Sequence, residues 1–304
     1  MNLKIDLRLV FALVGVAVLW GTTYLAIRVA VHTIPPWFVT AMRQGIAALI
    51  LLVVLLYQKQ LEWMGWSNLK RQIILSTLML VIANGLTTVA EQTLPSGLTS
   101  LLAALSPLLV FIGSAAIGLQ RPTLKGLMGV MLGFAGVAFI FRQGLGDLLD
   151  PNYKTGILSI SLAIISWAAG TIYTKKQAHS SPNIFLDLFY QFTFAALVQS
   201  VFAFLFSDSI TVADWSFASL AAVLYLAVFG SVIGYFCYIY AIKRVTAVQV
   251  SILSYFNTII AIFLGWFILD ETITSDLIVA TILIISGVFM INFQLSQKRL
   301  ISKL

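Results

Sequence analysis

Charged side chains are scarce in this chain: Asp, Glu, Lys and Arg make up 10% of its residues, whereas soluble domains carry roughly 25%. Cysteine occurs once, as Cys237, so an intramolecular disulfide is excluded. The GxxxxGKS/T phosphate loop, the HExxH zinc motif and the GxSxG nucleophile elbow are all absent from the sequence. These absences exclude a soluble globular domain and give no support to ATP-driven or hydrolytic chemistry. They also indicate no cofactor.

Apolar residues take the place of the missing charges and make up 60% of the chain. They form ten stretches of about 20 residues, and a helix of that length spans the roughly 30 Å hydrocarbon core of a bilayer. The stretches lie near 9–29, 36–57, 72–91, 97–119, 124–142, 156–174, 183–206, 217–241, 247–269 and 274–294. Their hydrophobicity is continuous rather than alternating, which predicts transmembrane helices and not a β-barrel.

The second half of the chain repeats the pattern of the first. The matched pairs are Trp20 with Trp167, Pro35 with Pro182, Phe38 with Phe185 and Gln44 with Gln191. Each copy holds five stretches, an odd number, so the second copy must enter the membrane in the opposite orientation. We therefore predict an all-α membrane protein of ten transmembrane helices, built as two inverted five-helix repeats over residues 9–142 and 156–294. Such repeats place a binding site between them, near the bilayer midplane.

Lysine and arginine predict the orientation of the chain. With the N-terminus in the cytoplasm, most of the 18 Lys and Arg residues fall in short inner loops, as the positive-inside rule expects. Both termini are then cytoplasmic, and the linker at 143–155 is extracytoplasmic. The net charge of +7 follows from this topology and does not indicate a nucleic-acid partner.

Short motifs along the chain resemble those of a transporter family. They are Trp20-Gly21-Thr22-Thr23-Tyr24, Pro35-Pro36, Ala103-Ala104-Leu105-Ser106-Pro107, Gly230-Ser231-Val232-Ile233-Gly234-Tyr235 and Leu269-Asp270-Glu271-Thr272-Ile273. With these motifs, and from about residue 9 to 294, the sequence resembles the EamA family of the drug/metabolite transporter superfamily. The resemblance implies export of amino acids or other small metabolites across the bacterial inner membrane.

Polar and aromatic residues deep in the spans are the candidates for a binding site. Asn84, Thr88 and Glu91 share one helical stripe of the third span, and Trp20 and Tyr24 share a face of the first. Polar groups at this depth need internal partners or a water-filled cavity. We predict a substrate cavity lined by Trp20, Tyr24, Asn84, Thr88, Trp167, Thr171, Tyr235, Tyr238 and Asn257. For each residue taken singly, helix packing is the alternative role.

One arginine lies within a span. Arg43 is about two turns from the outer end of the second span, where an arginine costs roughly 2.5–3.5 kcal/mol to insert. Glu91 ends the third span on the same side, so we predict that the two pair, either as a static anchor or as a gate. In the gate, a substrate carboxylate replaces Glu91 on the guanidinium, or Glu91 takes up a proton.

A stripe of glycines follows one face of the fifth span. Gly126, Gly129, Gly133 and Gly136 allow a second helix to approach closely. We favour a neighbour in the same chain as the packing partner, and a homodimer is the alternative.

Three functions are compatible with this sequence. The first is a secondary exporter of small metabolites, either a uniporter or coupled to protons, with a small solute and the lipid bilayer as its partners. The second is an exchanger of phosphorylated sugars or nucleotide-sugars, which would need several cations at the midplane. The third is a non-transporting membrane scaffold or an intramembrane enzyme, for which the sequence has no positive feature. We expect no metal site, because His32 and His179 fall in loops on opposite faces.

Overall fold

In the computed structural model of the chain, all regular secondary structure of the described residues is helical. The described residues are 6–119, 123–140, 151–177, 183–207, 212–251 and 253–301, and no β-strand occurs among them. Residues 141–150, which include most of the predicted linker, and His179 lie outside these ranges. The predictions made for them are therefore not tested by the structure.

The described helices agree with the predicted all-α membrane fold. In chain order they are α1 (Leu7–Ala30), α2 (Pro36–Tyr57), α3 (Trp66–Ala90), α4 (Ser96–Ala116), α5 (Leu124–Ile140), α6 (Pro151–Lys176), α7 (Ile184–Phe206), α8 (Phe217–Ile242), α9 (Ala247–Leu269) and α10 (Ser275–Ile301). Eight of these described helices, all except α5 and α10, are long and apolar enough to cross a bilayer. The described apolar parts of α5 and α10 are shorter, Leu124–Gly136 and Ser275–Gly287.

Short polar side chains cap the N-termini of several helices, among them α1 and α7. Oδ1 of Asp6 accepts hydrogen bonds from the backbone N–H of Arg8 and Leu9 at 3.1 and 3.3 Å. Oδ1 of Asn183 accepts in the same way from Phe185 at 3.0 Å. These caps satisfy backbone donors that have no partner within the first turn of a helix.

Helices α3 and α8 each contain a π-helical segment followed by a glycine. The segments are Thr77–Asn84 and Leu226–Ile233, and the glycines are Gly85 and Gly234. A Cβ atom at Gly234 would lie only 2.5 Å from Nε1 of Trp20, so the indole packs directly on the helix backbone. Segments of this kind interrupt the regular hydrogen-bond ladder and occur frequently at functional sites.

The first helix of each half packs against helices of the other half. Helix α1 packs on α8 and α9, and α6 packs on α3 and α4, while α2 pairs with α7 and α5 with α10. The surface of this bundle is apolar: Phe11, Leu197, Phe204 and Phe267 are 73, 65, 67 and 68% exposed. A surface with so many exposed large apolar side chains is stable in hydrocarbon and not in water.

The glycine groove of α5 is filled from within the chain. A Cβ atom at Gly287 of α10 would lie 2.5 Å from the carbonyl oxygen of Gly129 and 2.9 Å from the amide nitrogen of Gly133. The two backbones therefore touch, as small residues permit in hydrocarbon. This contact agrees with the intrachain packing that we favoured from the sequence.

Candidate solute-binding cavity

A cavity of about 110 Å³ lies between the two halves, bounded by α1, α3, α4, α6, α8 and α9, with Arg43 of α2 also on its wall. Eight of the nine predicted residues line it, namely Trp20, Tyr24, Asn84, Trp167, Thr171, Tyr235, Tyr238 and Asn257. Thr88 does not line the cavity: it is fully buried, and the neighbouring Thr87 lines the cavity instead. Pockets for drug-sized ligands measure roughly 300–1,000 Å³, so this volume suits a small metabolite.

Four aromatic rings, which we call the aromatic cluster, form one wall. The ring centroid of Trp20 lies 5.2 Å from that of Trp167, 5.3 Å from Tyr235 and 5.2 Å from Tyr238. Such tilted and edge-on pairs contribute about 0.5–1.5 kcal/mol each beyond their burial. The hydroxyl of Tyr238 donates to Oγ1 of Thr171 at 3.0 Å, which orients its ring.

The two tryptophans of the cluster differ in their hydrogen bonding. Nε1 of Trp20 donates to the carbonyl oxygen of Gly230, in the π-helical segment of α8, at 3.0 Å. The indole N–H of Trp167 has no hydrogen-bond partner among the described residues, although its side chain lies on the cavity wall. Trp167 therefore presents a donor that a bound solute can use.

Arg43 is fixed on the wall of the cavity by two polar contacts. Its Nε donates to Oγ of Ser231 at 2.8 Å, and its Nη1 donates to Oδ1 of Asn84 at 3.3 Å. Gln44 also donates to this Oδ1, at 3.5 Å. The remaining nitrogen, Nη2, lies next to Gly230: a Cβ atom added at Gly230 would be 3.0 Å from Nη2. Nη2 donates no hydrogen bond within the described ranges, so this nitrogen keeps free N–H donors for a solute in the cavity.

Helix α9 contributes a polar wall that the sequence analysis predicted only at Asn257. Ser251 and Ser254 also line the cavity, and with Asn257 they recur every three residues on one face of the helix. That spacing is the signal that would have identified them. With its nitrogen oriented toward the carbonyl oxygens of Leu253 and Ala17, Asn257 donates to them at 2.9 and 2.8 Å. Its amide oxygen is then an acceptor available to a solute.

At one face of the bundle, which we call the Arg28 face, the turns 91–95 and 270–274 lie together. Two sets of polar contacts hold them, and we call these contacts the seal. Nη1 of Arg28 donates to the carbonyl oxygens of Glu91 and Gln92, the second at 3.1 Å. The carboxylate of Glu271 accepts from the backbone N–H of Ser96 at 2.8 Å and of Gly97 at 3.1 Å. A carboxylate at a helix N-terminus satisfies its free N–H groups and the helix dipole together. The turn between α3 and α4 is thus held at both ends.

The structure does not bring the predicted pair of Arg43 and Glu91 into contact. Glu91 is fully buried, and neither of its carboxyl oxygens has a hydrogen-bond partner in the described parts of the chain. The hydrogen bonds of Arg43 go to Ser231 and Asn84, which lie deeper in the bundle. The prediction of a direct pair is therefore not met in this conformation.

The opposite face, which we call the Lys243 face, carries a second polar network. Nε2 of Gln191 donates to Oε1 of Gln72 at 2.6 Å, and Nε2 of Gln72 donates to Oδ1 of Asp187 at 2.9 Å. Partial burial lowers the pKa of the Lys243 ammonium group, and the nearby carboxylate of Asp187 opposes this shift. Nζ of Lys175 donates to the carbonyl oxygen of Ile242 at 2.9 Å. Helices α3, α6, α7 and α8 are joined at this face.

The contact of Glu271 with α4 leads to a prediction about stability. Glu271→Ala leaves the N–H groups of Ser96 and Gly97 without an acceptor, so we expect the free energy of unfolding to fall by about 1–3 kcal/mol. Thermal unfolding in detergent micelles checks this as a lower midpoint temperature. Glu62→Ala, which removes an exposed carboxylate, is the matched control and should not shift the midpoint. Equal midpoints for both variants would show that the contact is not stabilising.

Long apolar helices around a small cavity of aromatic and polar side chains define a membrane protein built to hold a solute within the bilayer, which is the class of membrane transporters. The chain belongs to the EamA-like transporter family, whose family model matches residues 7–142 and, separately, 154–293.

Similar proteins include transporters of bacterial membranes. The uncharacterised transporter YoaV of Bacillus subtilis is 26% identical over 96% of this chain and 99% of its own length. The uncharacterised inner membrane transporter YedA of Escherichia coli is 29% identical over 87% of this chain and 84% of its own. A solved crystal structure superposes with a TM-score of 0.70 at 19% identity, over 94% of this chain and 97% of that one, and so shares the fold. The chain is a membrane transporter and not an enzyme.

Proposed function

We propose that this transporter exports small neutral or zwitterionic metabolites, such as amino acids, across the bacterial cytoplasmic membrane by way of the central cavity. The observation that carries the proposal is the combination of one guanidinium with a free donor edge and a cluster of four aromatic rings. A solute carboxylate would bind Nη2 of Arg43 through a charge-assisted hydrogen bond. The apolar part of the solute would lie on the aromatic cluster, with Trp167 and Asn257 offering a donor and an acceptor.

An exchanger of phosphorylated sugars is the weaker candidate. Phosphate groups carry about two charges and need several cationic partners. Of the described residues that line the cavity, Arg43 alone is a cation. The composition of the wall therefore favours a solute with a single carboxylate.

The same proposal includes ten transmembrane helices in two inverted repeats, over residues 9–142 and 156–294. Two observations support it. Helix α1 contacts α8 and α9 as α6 contacts α3 and α4, which is the exchange of partners that a pseudo-two-fold axis produces. The π-helical segments Thr77–Asn84 and Leu226–Ile233 are equal in length and occupy the same position in the third helix of each half.

The proposed orientation places the Arg28 face outside the cell and both termini in the cytoplasm. Reporter fusions after Gln58, Asp150, Lys176 and Asp214 should then report inside, outside, inside and outside, because positively charged loops stay cytoplasmic. Alkaline phosphatase, active outside, and green fluorescent protein, fluorescent inside, give complementary signals at each position. Two neighbouring fusions that report the same side would contradict the inverted repeat.

Transport itself is tested by counterflow. Proteoliposomes preloaded with the twenty common amino acids, unlabelled, are diluted into a trace of each labelled amino acid in turn. A transporter that binds zwitterions accumulates the label transiently, whereas liposomes without protein do not. Cells that overproduce the protein should also release the accepted amino acid faster than control cells, which establishes the direction. Failure to accumulate any labelled amino acid would overturn this substrate class.

A further inference from the structure

Among the described carboxyl groups, that of Glu91 alone is fully buried without a hydrogen-bond partner. It is fully buried at the end of α3, and both of its oxygens lack hydrogen-bond partners within the described residues. It also lies at a helix C-terminus, where the helix dipole disfavours negative charge. An ionised carboxylate without donors in such a place is very costly, so burial favours the neutral acid in this conformation, against the opposing effect of Arg28 and Arg43.

The charge of Glu91 affects the seal, because the residues that form the seal are electrostatic neighbours of Glu91. Its charged neighbours are Glu271, Arg28 and Arg43, and the phenol of Tyr24 also faces it. Arg43 is engaged with Ser231, whereas Arg28 and Glu271 form the seal itself. If Glu91 ionises, its carboxylate repels that of Glu271 and draws the guanidinium of Arg28 away from the backbone carbonyls that it holds. Ionisation therefore acts against both contacts that close the Arg28 face.

We propose that Glu91 is a proton-binding site whose occupancy keeps the Arg28 face closed, and that this site couples solute export to inward proton movement. The coupling rests on the proposed function, whereas the proton site does not. The buried, unpartnered carboxyl group beside the two sealing contacts carries the inference.

The proton takes a defined route in this scheme. With the Arg28 face open, the carboxylate of Glu91 takes a proton from outer water and becomes a neutral acid, and the face closes. The cavity then opens at the Lys243 face, and the proton leaves to cavity water past Thr87 and Tyr24, which line the cavity next to Glu91. The carboxylate that remains opens the Arg28 face, and the solute leaves. One proton enters for each solute exported.

Opening of the Arg28 face is measured without an added solute. Thr87→Cys places a thiol on the cavity wall, and Cys237→Ala removes the native thiol. Cells are exposed to a membrane-impermeant maleimide at a series of external pH values, with ionophores present so that internal pH follows. Since opening releases one proton, the labelling rate should rise about tenfold per pH unit while Glu91 is mostly neutral. Rates are divided by those of Thr272→Cys, an exposed thiol at the same face, to remove the pH dependence of thiol reactivity.

Replacing the carboxyl group should abolish this dependence. Glu91→Gln keeps the shape of the neutral acid, so we expect low labelling at every pH, and Glu91→Leu should behave in the same way. Glu62→Gln, on the opposite side of the chain, is the control and should keep the slope of the parent. A flat parent profile, or an unchanged slope in Glu91→Gln, would overturn the proton site. Infrared spectra at neutral pH give a second measurement: the carbonyl stretch of a protonated carboxyl group must be weaker in Glu91→Gln than in the parent.

Coupling is measured separately, with the amino acid that counterflow identifies. A pH gradient, acid on the side of the Arg28 face, should drive net movement of that amino acid toward the acid side, and Glu91→Gln should abolish it. If the parent protein moves the amino acid equally with and without the pH gradient, the coupling is overturned. The proton site and the proposed function would still stand. Absence of counterflow for every amino acid would instead overturn the proposed function, and the labelling profile would still decide the proton site.

Discussion

Replacing Arg43 by methionine is expected to reduce counterflow of zwitterionic amino acids about 30-fold or more while the protein still inserts in the membrane. Removing one partner of a buried, hydrogen-bonded charge pair costs about 2–5 kcal/mol, and each 1.4 kcal/mol is about tenfold in binding. The loss should appear mainly in KM, because the interaction with the solute carboxylate is lost. Insertion should not suffer, because methionine removes the cost of placing a charge in hydrocarbon.

The controls for Arg43 separate its charge from its geometry. Arg43→Lys retains a cation but loses the hydrogen bonds from Nε to Ser231 and from Nη1 to Asn84, so its KM should lie between those of the parent and Arg43→Met. Lys176→Met removes an exposed cation outside the cavity and should transport normally. A parental KM in Arg43→Met would show that this residue does not bind the solute.

An exchange of charges distinguishes two roles of Arg43. If Arg43 and Glu91 formed a simple ion pair, Arg43→Glu combined with Glu91→Arg would restore transport that each single change removes. Because the hydrogen bonds of Arg43 go to Ser231 and Asn84, we expect no restoration. Recovery of transport in the double variant would mean that the pair forms in a conformation other than this one.

Replacement of single residues on the cavity wall is expected to lower transport about tenfold without a comparable loss of expression. The four variants are Trp20→Ala, Asn84→Ala, Trp167→Ala and Asn257→Ala. Trp167→Phe is the sharpest of the related changes, because it keeps an aromatic ring and removes only the N–H that has no partner in the described protein. An intermediate effect of Trp167→Phe would show that the solute accepts this hydrogen bond.

The matched control for the tryptophans is Trp266→Ala, which truncates the same side chain where it is 49% exposed on the outside of α9. Transport is measured as initial counterflow rate per amount of reconstituted protein. Normal rates in all four cavity variants would assign these residues to helix packing. A loss in Trp266→Ala equal to that in Trp167→Ala would mean that general destabilisation, not solute contact, explains the effect.

Eight of the nine residues predicted from the sequence lie on the cavity wall, but helical periodicity could not resolve the edges of that wall. Asn84, Thr87, Thr88 and Glu91 share one stripe of α3, and a stripe of this width faces more than one neighbouring helix. The cavity lies on the side of Thr87, while Thr88 is fully buried and does not line it. The repeat every three residues in Ser251, Ser254 and Asn257 was present in the sequence, but hydroxyl groups also bond within their own helix, as Ser254 does to Ser251 at 2.8 Å.

Depth along a helix follows from the sequence, whereas lateral position does not. Arg43 and Glu91 were placed at the same side of the membrane by their distances from the ends of their helices. Whether they touch depends on how α2, α3 and α8 are arranged around each other. Once α8 packs on α2, Ser231 lies nearer to the guanidinium than Glu91 does, and it takes the hydrogen bond at 2.8 Å.

The sequence by itself determined that this is a helical membrane protein whose halves share a pattern, and which residue types face its interior. Those features follow from the cost of polar groups in hydrocarbon and from the pitch of a helix, both of which act locally along the chain. Only the tertiary structure decided which polar atoms are satisfied. Glu271 meets Ser96 across 175 positions of sequence, and Glu91, close by, meets no donor. Such differences depend on distances of a few ångströms between helices remote in sequence, because a hydrogen bond is lost within that range.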